Sequence, residues 1–275
     1  MKNQRVATGK ARASRAGPLT GTGAGGHDAR GAERQRSGVL EDIIIKLASA
    51  ESLPEVLPAD PFPLLTAWYD QAKSAKQTPN PDAVALASAT ADGRPSVRMV
   101  LCRRVDPAGS LVFYTNYHSR KGRELEANPR AAMVFHWDYQ GRQARTEGFV
   151  VKTTESESDE YFAHRALLSR LGAWASRQST PLASRKDLIA AVASAASRLK
   201  ISPAALMAGE QAVSVPRPPH WGGFRLWVDR VELWCGGNGR LHDRAEWVRS
   251  RADDAPVNIG ATPAFNPWRA QRLSP

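Results

Sequence analysis

The sequence predicts an α+β protein, mainly β with helices, built around an antiparallel β-barrel. Three observations carry this. Between residues 83 and 152 short apolar runs of strand character recur, with turn signals at about ten-residue spacing. Most of these runs are joined by tight turns, which argues against a doubly wound α/β sheet. Helical spacing falls mainly before and after this block.

Taken in order, residues 1–39 hold eight basic and two acidic side chains amid Gly, Ala and Ser, with no hydrophobic period. They read as a disordered basic tail. An Arg-rich, acid-poor start also imitates an organelle transit peptide; a dispensable tail is the favoured reading. Leu40–Ala50 is a short apolar helix, too short to stand alone. After Pro54, Pro58 and Pro61, residues Phe62–Ala75 place Leu64, Leu65, Trp68, Tyr69 and Ala72 at helical spacing, and Pro79 and Pro81 close the segment. Ala83–Thr90 and Ser96–Val105 form a hairpin turning at Asp92-Gly93. Asp106-Pro107-Ala108-Gly109 turns the chain into a strand over Leu111–Thr115. Ser119 is placed to cap the next helix, which opens on Arg120 and Lys121. A helix start with two cations suits a bound phosphate; the alternative is a basic helix end in solvent. Ala131–Tyr139 and Gln143–Lys152 make a further hairpin about Gln140-Gly141.

Ser156–Leu168 then reads as one helix with an acidic start. Tyr161, Arg165 and Ser169, spaced i, i+4, i+8, would share a face offering a ring, a guanidinium and a hydroxyl. That trio suits a phosphate beside a ring; an amphipathic helix with Arg165 in solvent is the plainer alternative. Ser184–Leu199 is helical, and residues 200–214 are a connection without assigned function. Phe224–Trp234 is a long strand, Gly236–Gly239 a turn, and Arg240 opens the return strand. Alternation puts Arg240, His242 and Arg244 on one face, either around an anion or solvated on an edge.

Composition narrows the class. Apolar content of 42% supports a core, and no apolar run approaches a membrane span. Cys102 and Cys235 lack metal-ligand spacing, so no metal is expected. Nothing demands an oxidising compartment, and the expected location is cytoplasmic. About half of the net charge of +11 lies in the tail, which weakens a nucleic-acid reading.

Several blocks resemble the pyridoxamine 5′-phosphate oxidase family, from about Asp60 to the C-terminus. They are R-x-V-L-x-R at Arg98–Arg103, F-Y-T-N at Phe113–Asn116, and S-R-K-x-x-E-L-x-x-N-P at Ser119–Pro129. Further blocks are G-A-W-x-S-x-Q-S at Gly172–Ser179 and W-x-x-G-x-x-R-L-H-x-R at Trp234–Arg244, the most specific of them. The resemblance implies an FMN-binding split β-barrel over 40–275, with 220–275 as a dimer and substrate region. It implies oxidation of pyridoxamine or pyridoxine 5′-phosphate to pyridoxal 5′-phosphate by O2, with release of peroxide, in an obligate homodimer whose two sites are each built from both chains.

By resemblance, Arg98, Tyr114, Thr115, Arg120, Lys121, Gln143, Gln178, Ser179, Trp234 and Arg244 hold FMN. Arg103, Tyr161, Arg165 and Ser169 hold the substrate phosphate, and Arg240 and His242 face the reacting carbon. Two departures stand out: Arg103 replaces the family's usual Lys, and no Arg-Arg-x-Tyr segment precedes Asp60, Arg34-Gln35-Arg36 being a poor match. Arg98 and Arg103 are five apart, so a regular strand would send them to opposite faces unless a bulge intervenes or ligands contact both. The alternatives are a related FMN oxidase of another aromatic, such as a phenazine precursor, and a non-enzymatic flavin- or nucleic-acid-binding barrel.

Overall fold

The computed structural model describes residues 38–46, 51–209 and 213–275. Of the predicted tail 1–39, residues 1–37 lie outside the described residues and 38–39 are already helical; residues 47–50, the end of the first predicted helix, also lie outside them. Helix α1 covers 38–46 and belongs to a unit ending at Leu47, distinct from the unit Ala48–Pro275 that carries everything below.

Helix α2, Phe62–Ala75, has the predicted bounds and buries Phe62, Leu65, Trp68, Tyr69 and Ala72. Its N–H groups begin after a proline, which has no N–H to leave unpaired. The strands are β1 (Ala83–Ala89), β2 (Pro95–Asp106), β3 (Ser110–Asn116), β4 (Arg130–Trp137), β5 (Arg142–Lys152), β6 (Trp221–Cys235), β7 (Asp243–Val248) and β8 (Arg269–Leu273). Helix α3 (Arg120–Ala127) joins β3 to β4; α4 (Glu155–Ala163), α5 (Leu167–Ala175), α6 (Arg185–Arg198) and α7 (Pro203–Ala208) separate β5 from β6.

The strands run in the order β3-β2-β1-β4-β5-β6-β7-β8, all antiparallel, and a β3–β6 pairing closes the first six into a barrel. Strand β6 makes this possible by dividing one edge. Its first half, Trp221–Trp227, pairs with β3, and its second half, Arg230–Cys235, pairs with β7. The register of β5 against β6 shifts at Glu147/Gly148. A Cβ on Gly148 would lie 2.0 Å from the Trp227 carbonyl oxygen, so only glycine permits this approach.

The barrel interior is filled by Leu86, Phe113, Phe135, Leu226 and Leu233, with α2 across one side. The Tyr69 hydroxyl donates to the Cys102 carbonyl at 2.9 Å, and Trp68 meets Trp137 edge-on. A second cluster of Phe162, Leu167, Leu171, Ala196, Val215 and Trp221 packs the helical layer onto the start of β6. The functional cavity lies where these two clusters meet.

Three expectations need correction. The predicted helix Ser156–Leu168 is broken: α4 ends at Ala163, and Ala166 is extended (φ −53°, ψ 141°) before α5 begins. Arg240 does not start the return strand; it ends a 3-10 turn, Asn238–Arg240, with φ +65°, and β7 begins at Asp243. The 200–214 connection contains α7, capped by Ser202, whose Oγ accepts from the Ala205 N–H. Strand β8 was also unforeseen.

Candidate active site

A cavity of about 850 Å³ opens between the barrel wall and helices α4 and α5. One end is built by the start of α3. Ser119 caps that helix, its Oγ accepting the Gly122 N–H at 3.2 Å, as predicted. Gly122 lies against the Tyr117 carbonyl, where a Cβ would be 2.0 Å from the oxygen, so this turn seats closely. Lys121 thereby points inward. Its Nζ donates to Gln178 Oε1 at 2.9 Å and Thr115 Oγ1 at 3.0 Å. These partners are neutral. Burial, and secondarily Arg98, push the Lys121 pKa down to about 8. A buried ammonium held only by neutral oxygens is a fitting counter-charge for a phosphate.

The other end is built around the α4–α5 break. Tyr161, Arg165 and Ser169 all line the cavity, despite the helix interruption. The Arg165 guanidinium lies over the Trp221 indole at 4.6 Å, and its buried Nη1 has no hydrogen-bond partner among the described residues. Burial lowers its pKa. Tyr161 stacks on Tyr114 at 3.9 Å, with Trp221 parallel to both. Burial, then Glu157, raise the Tyr114 hydroxyl to about 12, keeping it neutral. Arg103 lies 5.8 Å from the Tyr161 ring and pairs with Asp82 at 2.7 Å.

The spacing puzzle in β2 is answered by a register shift between Cys102 and Arg104. This bulge leaves Arg103 on the cavity wall. Arg98 lies outside that wall, donating to Ser88 Oγ at 2.5 Å and Glu124 Oε2 at 3.1 Å. Arg120 binds Glu124 at 2.8 Å and opens onto a separate hollow beside Arg94 and Arg123. Ser179 is exposed, with φ +69°.

The remaining predicted residues gather elsewhere in the chain. Gln143, Trp234 and Arg244 are cross-strand neighbours on β5, β6 and β7. His242 packs on the Trp234 ring at 4.7 Å, and its Nδ1 accepts the Gly237 N–H at 3.1 Å. Arg244 binds Glu232 Oε1 through Nε at 3.0 Å and Nη2 at 2.9 Å. Arg240 is exposed beside them. None of these five lines the cavity. One chain therefore presents two groups: a concave set with Arg103, Lys121 and Arg165, and a surface set with Trp234, His242 and Arg244.

Sequence reasoning missed three residues: Trp221 beneath Arg165, Asp82 against Arg103, and Glu124 between Arg98 and Arg120. A tryptophan or carboxylate distant in sequence carries no local sign of its partner.

Residues 71–198 match the pyridoxamine 5′-phosphate oxidase family, and residues 221–275 match the pyridoxine 5′-phosphate oxidase C-terminal dimerisation region. The pyridoxine/pyridoxamine 5′-phosphate oxidase of Burkholderia vietnamiensis is 45% identical over 237 residues, covering 86% of this chain and 99% of that protein. The protein of that name from Methylibium petroleiphilum is 49% identical over 191 residues, covering 70% and 83%. Among solved structures, PhzG from Burkholderia lata in complex with tetrahydrophenazine-1-carboxylic acid superposes with a TM-score of 0.67 at 31% identity, over 82% of this chain and 98% of that one. A pyridoxamine 5′-phosphate oxidase-related, FMN-binding protein from Nostoc punctiforme shares the fold, with a TM-score of 0.55 at 14% identity over 82% of this chain and all of its own.

Proposed function

Since the chain belongs to the pyridoxamine 5′-phosphate oxidase family, we propose that it oxidises pyridoxine or pyridoxamine 5′-phosphate to pyridoxal 5′-phosphate, using FMN and O2. The observation that carries this reading is one cavity with two cationic ends, Lys121 at one and Arg165 at the other, neither paired to a carboxylate among the described residues. A substrate phosphate and a cofactor phosphate each need such an end. When bound, FMN would supply the redox chemistry, as acceptor of the hydride from the substrate's C4′ and as donor of two electrons to O2, giving hydrogen peroxide.

The chain's own residues bind and orient. Arg165, Ser169 and Tyr161 hold the substrate phosphate, with Arg103 beside them. Lys121, Thr115 and Gln178 hold the flavin side, with Arg98, Arg120, Tyr114 and Ser179 around it. Gln143, Trp234, Arg240, His242 and Arg244 complete the site from the partner chain, which accounts for their distance from the cavity in one copy. The exposed apolar Val97 and Met99 on β2, at 68% and 64%, and the match to a dimerisation region support a homodimer. The oxidase domain runs over 40–275, with 220–275 serving the dimer.

With Nδ1 engaged by the Gly237 N–H, a neutral His242 carries its proton on Nε2. It then acts as a hydrogen-bond donor to the substrate, and solvent takes the proton that leaves the substrate's amine or hydroxyl; with the amine substrate, water then hydrolyses the imine to the aldehyde and ammonia leaves.

A yellow protein that releases FMN on denaturation, and that forms one peroxide per pyridoxal 5′-phosphate, is the expected result. FMN binding without turnover of either B6 substrate would overturn the assignment. The second reading, oxidation of a reduced phenazine carboxylate, is favoured by the likeness to PhzG and by Arg103, a fork for a planar carboxylate. Parallel assays on both substrates separate the two.

A further inference from the structure

A buried carboxylate sits among the cations proposed to hold the flavin phosphate, and no step of the oxidation uses it. Glu124 lies on α3 with its side chain 5% exposed. Its Oε2 accepts from Ser88 Oγ at 2.6 Å, Ser96 Oγ at 2.5 Å and Arg98 Nη2 at 3.1 Å. Its Oε1 accepts from Arg120 Nε at 2.8 Å. The donors come from β1, β2 and the first turn of α3 itself. Burial alone would raise the Glu124 pKa, but bonds from Ser88, Ser96, Arg120 and Arg98 outweigh it and hold the value at about 2. The group is an anion at any working pH.

An anion in a phosphate-binding cluster is a cost on simple electrostatic grounds, because it repels the ligand. The geometry supplies its use. Arg98 and Arg120 are long side chains with many rotamers, and the Arg120 side chain is 56% exposed. The two guanidiniums differ: Arg98 is held on both Nη atoms, Nη1 by Leu86 O and Ser88 Oγ and Nη2 by Ser96 and Glu124, whereas Arg120 meets Glu124 through Nε alone, which leaves its two Nη groups to meet a ligand from a fixed direction.

We propose that Glu124, itself fixed by Ser88, Ser96 and Arg98, is a positioning residue for the flavin phosphate, orienting Arg120 so that its Nη fork is preset when FMN arrives. This rests on the FMN reading above. Two opposed effects of removing Glu124 give the test its sign. Loss of a negative charge alone tightens phosphate binding; loss of orientation weakens it.

The experiment titrates full-length protein, stripped of flavin, with FMN and with riboflavin, following flavin fluorescence. Glu124→Ala is expected to raise the FMN Kd about tenfold. The riboflavin Kd should stay within about twofold, because riboflavin lacks the phosphate. The conservative E124Q is expected to recover most of the FMN affinity. An unchanged or lower FMN Kd in Glu124→Ala overturns the proposal, as does a parallel rise for riboflavin. Should Glu124→Ala not fold, the double variant S88A/S96A leaves every charge in place and frees the carboxylate, together with Arg98, to turn. It is expected to weaken FMN, and not riboflavin, about threefold; no change overturns the proposal. Wild-type protein that binds no FMN would instead remove the cofactor reading.

Discussion

Arg165 and Arg244 are both partly buried arginines beside a tryptophan, yet their surroundings are opposed. Arg165 lies over Trp221 with one nitrogen buried and unbonded, and no carboxylate among the described residues pairs with it. Arg244, across from Trp234, is bound twice by Glu232, and Arg145 and Arg230 on the same face also have carboxylate partners. The cavity keeps charge in reserve; the C-terminal face has spent its charge within the chain. A region with unmatched cations is organised for a ligand. A region with matched cations is organised to be rigid, and becomes part of a site only when another surface meets it.

The largest expected effect comes from removing the reserve. Arg165→Met should lower kcat/KM for pyridoxine 5′-phosphate about 100-fold while FMN is retained. The same change should stabilise the ligand-free protein by about 1 kcal/mol, since a buried unbonded donor is lost. A fall in melting temperature would mean that Arg165 is already satisfied.

Mixing tests the division itself. Arg165→Met and Arg244→Met proteins, each with little activity, should recover about one quarter of wild-type turnover after subunit exchange. Random pairing yields half heterodimers, each with one intact site. No recovery would place both arginines in a site made by one chain.

The pH dependence of FMN binding is smaller and specific to the cavity. The Lys121 pKa is pushed down to about 8, so its charge is present below that value and lost as pH rises through it. FMN affinity should fall above pH 8, by up to about tenfold per unit, and Lys121→Met should abolish that slope while weakening binding below it. Titrations from pH 7 to 9 decide this. Smallest is Glu232→Gln, expected to cost about 1 kcal/mol of stability by chemical denaturation. The cavity residues should be unaffected, as judged by FMN affinity in a variant that remains dimeric.

Much of the fold was legible because alternation and turn chemistry act locally. Strands β1 to β5 lie within two residues of their predicted ends, and Ser119 caps α3 as its side chain requires. The break at residues 164–166 was not legible. Ala166 is a strong helix former, and the chain leaves the helix there where Arg165 turns onto Trp221, a residue 56 positions away by number. Arg240 failed for a related reason: the turn read over Gly236–Gly239 runs on through Arg240 as a 3-10 turn, so the alternation counted from Arg240 begins before the strand does, at Asp243. Helix α7 did carry its signal, with Ser202 before Pro203 and Gly209 at the far end in a left-handed conformation. The cavity residues were named from motif resemblance, whereas their partners Asp82, Glu124 and Trp221 emerged only from contacts between distant segments.

The divided edge of β6 ties two parts of the molecule into one mechanical element. Fraying of β3 at the seam would loosen the same strand that carries β7 and β8, and a tug on the C-terminal arm would be transmitted to the barrel's closure. Amide protection along both halves of that strand should rise and fall together, so that capture of the arm by a neighbouring molecule also tightens the wall against which the reactants rest.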